Sequence, residues 1–211
     1  MTDKKIIVIA LILAVLVIGG GWYYSTHSPG TASISEQSGS PTPLASATEP
    51  GIIFGNPSAP VTMEEYTNFL CPACMNFATQ TFGKIKDDYI ATGKVKIVFY
   101  IFPPLELSKA GLCADEQGKF IEYHDYVFSH QSQITDEAVL QDFAVNAGLD
   151  GNAFATCYAS TKFDDKIQKW IDEGQARGVD STPTFFINGQ KFIGAQPYEE
   201  FQKLIDQKLN Q

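Results

Sequence analysis

The sequence predicts a mixed α/β domain that carries an all-helical insertion and is preceded by one N-terminal membrane-spanning helix. Three observations predict it. Two β-type runs, one from Val61 to Tyr66 and one from Val95 to Phe102, flank a stretch with helical spacing. From 105 to about 177 the apolar residues recur at helical intervals only. Asn188-Gly189, both tolerant of positive φ, then separates two short apolar runs and reads as a hairpin turn.

At the N-terminus, Lys4 and Lys5 precede an uncharged run from Ile6 to Tyr24. About 19 residues of helix at about 1.5 Å each span about 28 Å, just enough to cross a bilayer. Trp22, Tyr23 and Tyr24 close the run, where interfacial rings sit. The flanking lysines keep the N-terminus cytoplasmic, so 1–24 is expected to be an uncleaved signal anchor. The alternative is a cleaved signal peptide with Gly19-Gly20-Gly21 supplying the small residues. No Cys follows the run, which excludes a lipoprotein anchor. Residues 25–50 are rich in Ser, Thr, Pro, Gly and Ala, bury too little to offset ordering, and are expected to be a flexible linker. The domain is expected over 51–211.

Within the domain, Gly55-Asn56-Pro57 signals a turn before the first expected strand. Ala78, Phe82, Ile85 and Tyr89 recur at helical spacing, so a helix follows Cys71-Pro72-Ala73-Cys74 and ends near Gly93. Pro103-Pro104 stops the second strand. Four helices are expected in the insert: one with Phe120, Tyr123, Val127 and Phe128 on one face, one opened by Thr135 with Asp136-Glu137 and stopped at Gly148, one capped by Asp150, and one lined by Phe163, Ile167, Trp170 and Ile171. Tyr198, Phe201, Leu204 and Ile205 make the last helix amphipathic.

A formal charge of −9 and no basic stripe beyond Lys4-Lys5 argue against a nucleic-acid partner. No phosphate loop, nucleotide motif or hydrolase elbow is present. The CxxC is the feature that carries chemistry. At a strand-to-helix junction its first cysteine lies at a helix N-terminus, where unpaired N–H groups and the helix dipole favour a thiolate. Pro72 suits the first helical position, having no N–H to leave unpaired. Cys74 follows one turn on, in reach of Cys71. The competing reading is half a zinc site, but Cys113 and Cys157 stand far apart and alone, so no metal is expected. His27, His124 and His130 have no convincing catalytic partner, and His124 reads as a structural residue.

Glu65-Tyr66-Thr67-Asn68-Phe69 before Cys71-Pro72-Ala73-Cys74, the insert with Gln117-Gly118-Lys119-Phe120 and Tyr123-His124-Asp125, and Ser181-Thr182-Pro183-Thr184-Phe185-Phe186-Ile187-Asn188-Gly189 together resemble the DsbA-like branch of the thioredoxin superfamily. The resemblance runs from Gly51 to the C-terminus and implies a thioredoxin fold with a helical insertion over about 105–177. It implies that Cys71 is the exposed nucleophile and Cys74 the buried resolving thiol. Thr182-Pro183 would be the family's Thr-cis-Pro, offering backbone groups to an extended substrate beside Pro72 and Ala73. Glu65 would be the buried acid that relays the resolving thiol's proton, with Glu64 as the alternative inward-facing residue. Cys113 and Cys157 would form a second, structural disulfide; two buried free thiols are the alternative. Two departures stand out. Ala73 replaces the His that strongly oxidising members carry before the second cysteine, and Ser181 replaces a frequent Gly.

The function implied is an extracytoplasmic thiol-disulfide oxidoreductase, on the periplasmic or cell-surface side, that introduces disulfides into exported proteins. It would need no cofactor, act on reduced or unfolded exported proteins as a monomer, and be recycled by a membrane quinone-linked thiol oxidoreductase. A disulfide reductase or isomerase is the alternative within the enzyme class, and a redox-inert binding or chaperone module outside it.

Overall fold

The computed structural model describes residues 47–211. The anchor expected over 1–24, and all but the last four residues of the expected linker, lie outside the described residues. Among the described residues no helix is long and apolar enough to cross a membrane. Ala47 to Pro50 are bonded to the domain: Ala47 N–H donates to Glu64, those of Thr48 and Glu49 donate to Glu173, and Pro50 C=O accepts from Trp170 Nε1.

Five strands form one sheet in the order β1-β3-β2-β4-β5. They are β1 Ile52–Gly55, β2 Val61–Thr67, β3 Val95–Ile101, β4 Thr184–Ile187 and β5 Gln190–Ile193. The central pair, β2 and β3, is parallel, and every other pairing is antiparallel. Both central strands are covered on both faces, which is why they read as largely apolar runs broken only by Glu64, Glu65, Lys96 and two threonines. The short β1 was not expected; four residues beside a turn carry too little pattern to separate them from a loop.

The helix after β2, here α1, runs over 72–90. It alternates α turns (Pro72–Asn76, Phe82–Ile85) with π turns (Phe77–Thr81, Lys86–Ile90). A π turn carries more residues than an α turn and rotates the register. Phe77 therefore takes the core position expected for Ala78, alongside Phe82, Ile85 and Tyr89.

The insert holds five helices where four were expected. They are α2 Leu105–Glu116, α3 Phe120–Ser129, α4 Ala138–Asn146, α5 Gly151–Tyr158 and α6 Asp164–Ala176. The first expected helix is broken by Gly118, whose φ of +65° ends α2, while Lys119 N–H returns to Ala114 C=O. Of the expected Thr135-Asp136-Glu137 start, Asp136 opens α4, its carboxylate accepting from Ala138 and Val139 N–H. Asp150 caps α5 through Asn152 and Ala153 N–H, a contact worth about 1 kcal/mol. Gln117 binds both backbone groups of Asp150, joining α2 to α5. The same two helices are joined by a Cys113–Cys157 disulfide, with Cα atoms 5.8 Å apart.

Asn188 and Gly189 turn the β4–β5 hairpin at φ of +45° and +78°. The last helix, α7 Tyr198–Leu209, lays Phe201 against Phe77 and Phe185 at 5.2 and 4.9 Å between ring centroids. The core thus closes around the sheet and around the start of α1.

Candidate active site

β2 delivers the chain to a tight turn over 68–70, and α1 starts directly after it. Cys71 N–H bonds Asn68 C=O, and Asn68 Oδ1 accepts from Leu70 N–H at 2.7 Å. Cys71 is the N-cap of α1, at φ −82° and ψ 120°, and Pro72 is its first helical residue. Cys71 is half-buried and Cys74 is buried; both are free thiols. The Cys71 thiol lies 3.1 Å from Thr182 C=O, immediately before the buried Pro183. The Thr182–Pro183 peptide bond is cis, as is Pro103–Pro104.

These surroundings pull the two thiols apart. Burial alone would raise Cys71, but hydrogen bonds from the Thr182 side chain, from the N–H and thiol of Cys74 and from Ala73 N–H outweigh it. They hold Cys71 below the ordinary thiol value. Burial pushes Cys74 up to about 12, with the Thr67 hydroxyl opposing the rise and Glu65 adding to it. The motif therefore pairs one thiol that ionises more readily than usual with one that keeps its proton near neutrality.

Glu65 lies beneath this pair. It is fully buried, and neither carboxyl oxygen has a hydrogen-bond partner among the described residues. Burial raises its pKa to about 8, opposed in part by Thr67 and reinforced by charge on Cys71. Thr67, two residues on along β2, shares Glu65's face of the strand. Glu64 projects from the opposite face. Arg177 donates to both of its oxygens, at 3.2 and 2.6 Å, and to the Tyr66 hydroxyl at 2.7 Å. The Arg177 guanidinium stacks 3.9 Å from the Phe186 ring centroid.

The structure brings Cys71, Pro72, Ala73, Cys74, Glu65, Thr182 and Pro183 into one neighbourhood. It keeps Cys113–Cys157 apart, between α2 and α5 of the insert. His124 is buried among Phe69, Phe82, Phe99, Phe120 and Phe128, with Nδ1 2.9 Å from Asp125. Beside Thr182 a cleft of about 400 Å³ is lined by Asn68, Phe102, Pro103, Ile171 and Ser181 among others. Among the described residues no group of His, Cys, Asp and Glu is arranged to hold a metal.

Three contributors went unnoticed in the sequence. Thr67 was legible, since strand period 2 places it with Glu65. Asn68 sits in the quoted motif but carries no local sign of its role as the hinge of the turn. Gln131, whose amide reaches the same turn from the insert, is 60 residues from Cys71 and has no sequence signal at all.

The Thioredoxin family model matches residues 47–207. A protein of Bacillus anthracis named "Probable disulfide bond formation protein D" is 27% identical, over 74% of this chain and 77% of its own length. The crystal structure of Wolbachia pipientis alpha-DsbA1 superposes with a TM-score of 0.69 at 28% identity, covering 79% of this chain and 94% of that one. Oxidised BdbD of Bacillus subtilis, at 24% identity, shares the fold with a TM-score of 0.67 over 80% of this chain and all of its own. The chain belongs to the thioredoxin family and is a DsbA-like protein disulfide oxidoreductase.

Proposed function

We propose that this oxidoreductase works as an oxidase outside the cytoplasm, donating its Cys71–Cys74 disulfide to the thiols of exported proteins. The observation that carries the reading is the contrast between the thiols: Cys71 is held below the ordinary value while Cys74 is pushed to about 12. A substrate thiolate attacks Cys71 Sγ in the oxidised motif. The Cys71–Cys74 bond breaks as the mixed disulfide forms, and the electron pair leaves on Cys74. Glu65, protonated below about pH 8, gives that sulfur its proton. A second substrate thiolate then attacks the substrate sulfur of the mixed disulfide, and Cys71 departs as a stabilised thiolate. A low-pKa leaving thiol speeds this step, and a stabilised reduced form makes the disulfide a stronger oxidant.

In this reading Thr182, Pro183, Pro72 and Ala73 border the bound substrate segment, and Cys113–Cys157 staples the insert. Residues 1–24 anchor the chain through a linker to the membrane, where a quinone-linked thiol oxidoreductase regenerates the disulfide. The names of the Bacillus relatives support disulfide formation as the direction. The reductase or isomerase reading has one observation in its favour: Ala73 offers no side-chain donor to Cys71.

Mixing the oxidised full chain with a reduced two-cysteine peptide decides between them. The oxidase reading expects the peptide disulfide to form in stoichiometric yield, and the Cys71→Ser variant to form none. A peptide that stays reduced, together with rapid insulin reduction by the dithiol form, would assign the protein to electron delivery instead.

A further inference from the structure

The turn that presents Cys71 is held from outside the thioredoxin core. Phe69, inside the turn, packs against Tyr123, His124 and Phe128 of α3, with ring centroids 5.2 to 6.2 Å apart. Directly after α3 the chain makes a short 3-10 turn, Gln131–Gln133, and Gln131 projects back toward the motif. Its Nε2 donates to Phe69 C=O at 2.9 Å and to Cys71 C=O at 3.0 Å. One amide thereby uses both protons on two carbonyls of the same turn. Asn68 ties the other side of the turn to Pro103 C=O, where the insert begins.

We infer that Gln131 is a positioning residue for Cys71, and that through its amide the helical insert sets the conformation in which the active-site sulfur meets its donors. The Cys71 carbonyl already accepts the first intrahelical bond, from Met75 N–H at 3.1 Å. Gln131 occupies its remaining acceptor capacity and fixes the orientation of the Cys71–Pro72 peptide plane. That plane is hinged on ψ of Cys71, 120° here, and the Ala73 and Cys74 N–H groups that reach Cys71 Sγ follow it in the chain. Phe69 C=O belongs to neither helix nor strand, so its bond to Gln131 also anchors the residue that packs on α3. Polar contact and aromatic contact therefore come from the same stretch of the insert, α3 and the turn after it. This gives the insert a role in the chemistry that its distance from the CxxC in sequence conceals.

The inference rests on thiol-disulfide exchange at Cys71 and not on the direction of electron flow. The test follows the pH dependence of Cys71 alkylation by iodoacetamide in the reduced full chain, with the reduction potential of the motif measured beside it. Gln131→Leu keeps the bulk and removes both donors; Gln131→Glu keeps the shape and turns acceptors toward the two carbonyls. Gln131→Ala, at a half-buried position in a surface turn, guards against a misfolded variant. Loss of the amide is expected to move the alkylation midpoint upward by about half to one pH unit, so that the rate at a pH below the wild-type midpoint falls about 3- to 10-fold. The potential should become more negative, and Gln131→Glu should shift furthest. Gln131→Asn, one methylene shorter, should recover part of the shift. Alkylation midpoints and potentials equal to wild type in the leucine, glutamate and alanine variants would overturn the inference, whatever happens to their thermal stability. An oxidase and a reductase would show the same shift, so failure here is distinct from failure of the proposed direction.

Discussion

Glu64 and Glu65 are neighbours on one strand, are equally hidden from water, and live in opposite worlds. On one face of β2, Glu64 meets Arg177 through two hydrogen bonds, and the guanidinium is itself held by Tyr66 and Phe186. On the other face, Glu65 meets Thr67 and the two motif cysteines and finds no cation and no hydrogen-bond partner. Burial is common to both and so decides nothing; the partner does. A paired carboxylate serves as structure, whereas an unpaired one keeps a proton it can exchange near neutrality. The alternation of side chains along a strand thus separates a paired acid from an unpaired one within two residues.

The largest break in this contrast comes from removing the cation. Arg177→Met strands Glu64 in the interior and should cost about 3–5 kcal/mol of stability, measured by urea unfolding. Should the loss be under about 1 kcal/mol, the pair is a bystander. Next is Glu65→Gln. The folded pKa of Glu65, about 8, lies above its ordinary value of 4.5. The benefit of keeping it protonated is fully present below about 4.5 and is lost as pH rises toward 8. Wild-type stability should therefore fall across that window by roughly 3–5 kcal/mol, and the Gln variant should lack this component. In rapid-mixing assays near pH 6.5, the same variant should slow the step that releases Cys74 by about 10- to 100-fold. A pH–stability curve identical to wild type would show that Glu65 does not titrate as described.

Smaller effects sharpen the comparison. Glu64→Gln combined with Arg177→Met removes both partners, and should recover most of what the single Arg177 variant loses, because no charge is left stranded. A double variant as unstable as the single one would move the cost from charge to packing around Phe186. Thr67→Val removes the hydroxyl that opposes the rise on both Glu65 and Cys74. The apparent pKa of Glu65 should climb by up to about one unit, as read from the carboxyl signal in NMR titration.

Much of this was legible before the structure. Alternating and continuous apolar runs located β2, β3 and the hairpin, because their burial is nearly complete and leaves a clean pattern. Cys71-Pro72-Ala73-Cys74 with Thr182-Pro183 marked the candidate site, since the helix N-cap and the facing loop both need specific residue types. The register of α1 was not legible, for π turns leave no compositional mark and exchange Ala78 for Phe77 at the core. The break between α2 and α3 rested on Gly118 alone, against continuous helical periodicity on both sides. The pairing of Glu64 with Arg177, 113 residues away, and the reach of Gln131 depend on which helix packs where; spacing along the chain holds no trace of either.

The central claim, that Cys71–Cys74 is an oxidising disulfide, is tested most directly by its reduction potential in glutathione equilibrium. A low-pKa Cys71 over a high-pKa Cys74 predicts a value between about −120 and −180 mV, the range of strong oxidants and isomerases. A value near about −270 mV or below would contradict the account, since the dithiol would then be a reductant and the stabilisation at Cys71 too weak to hold the motif open.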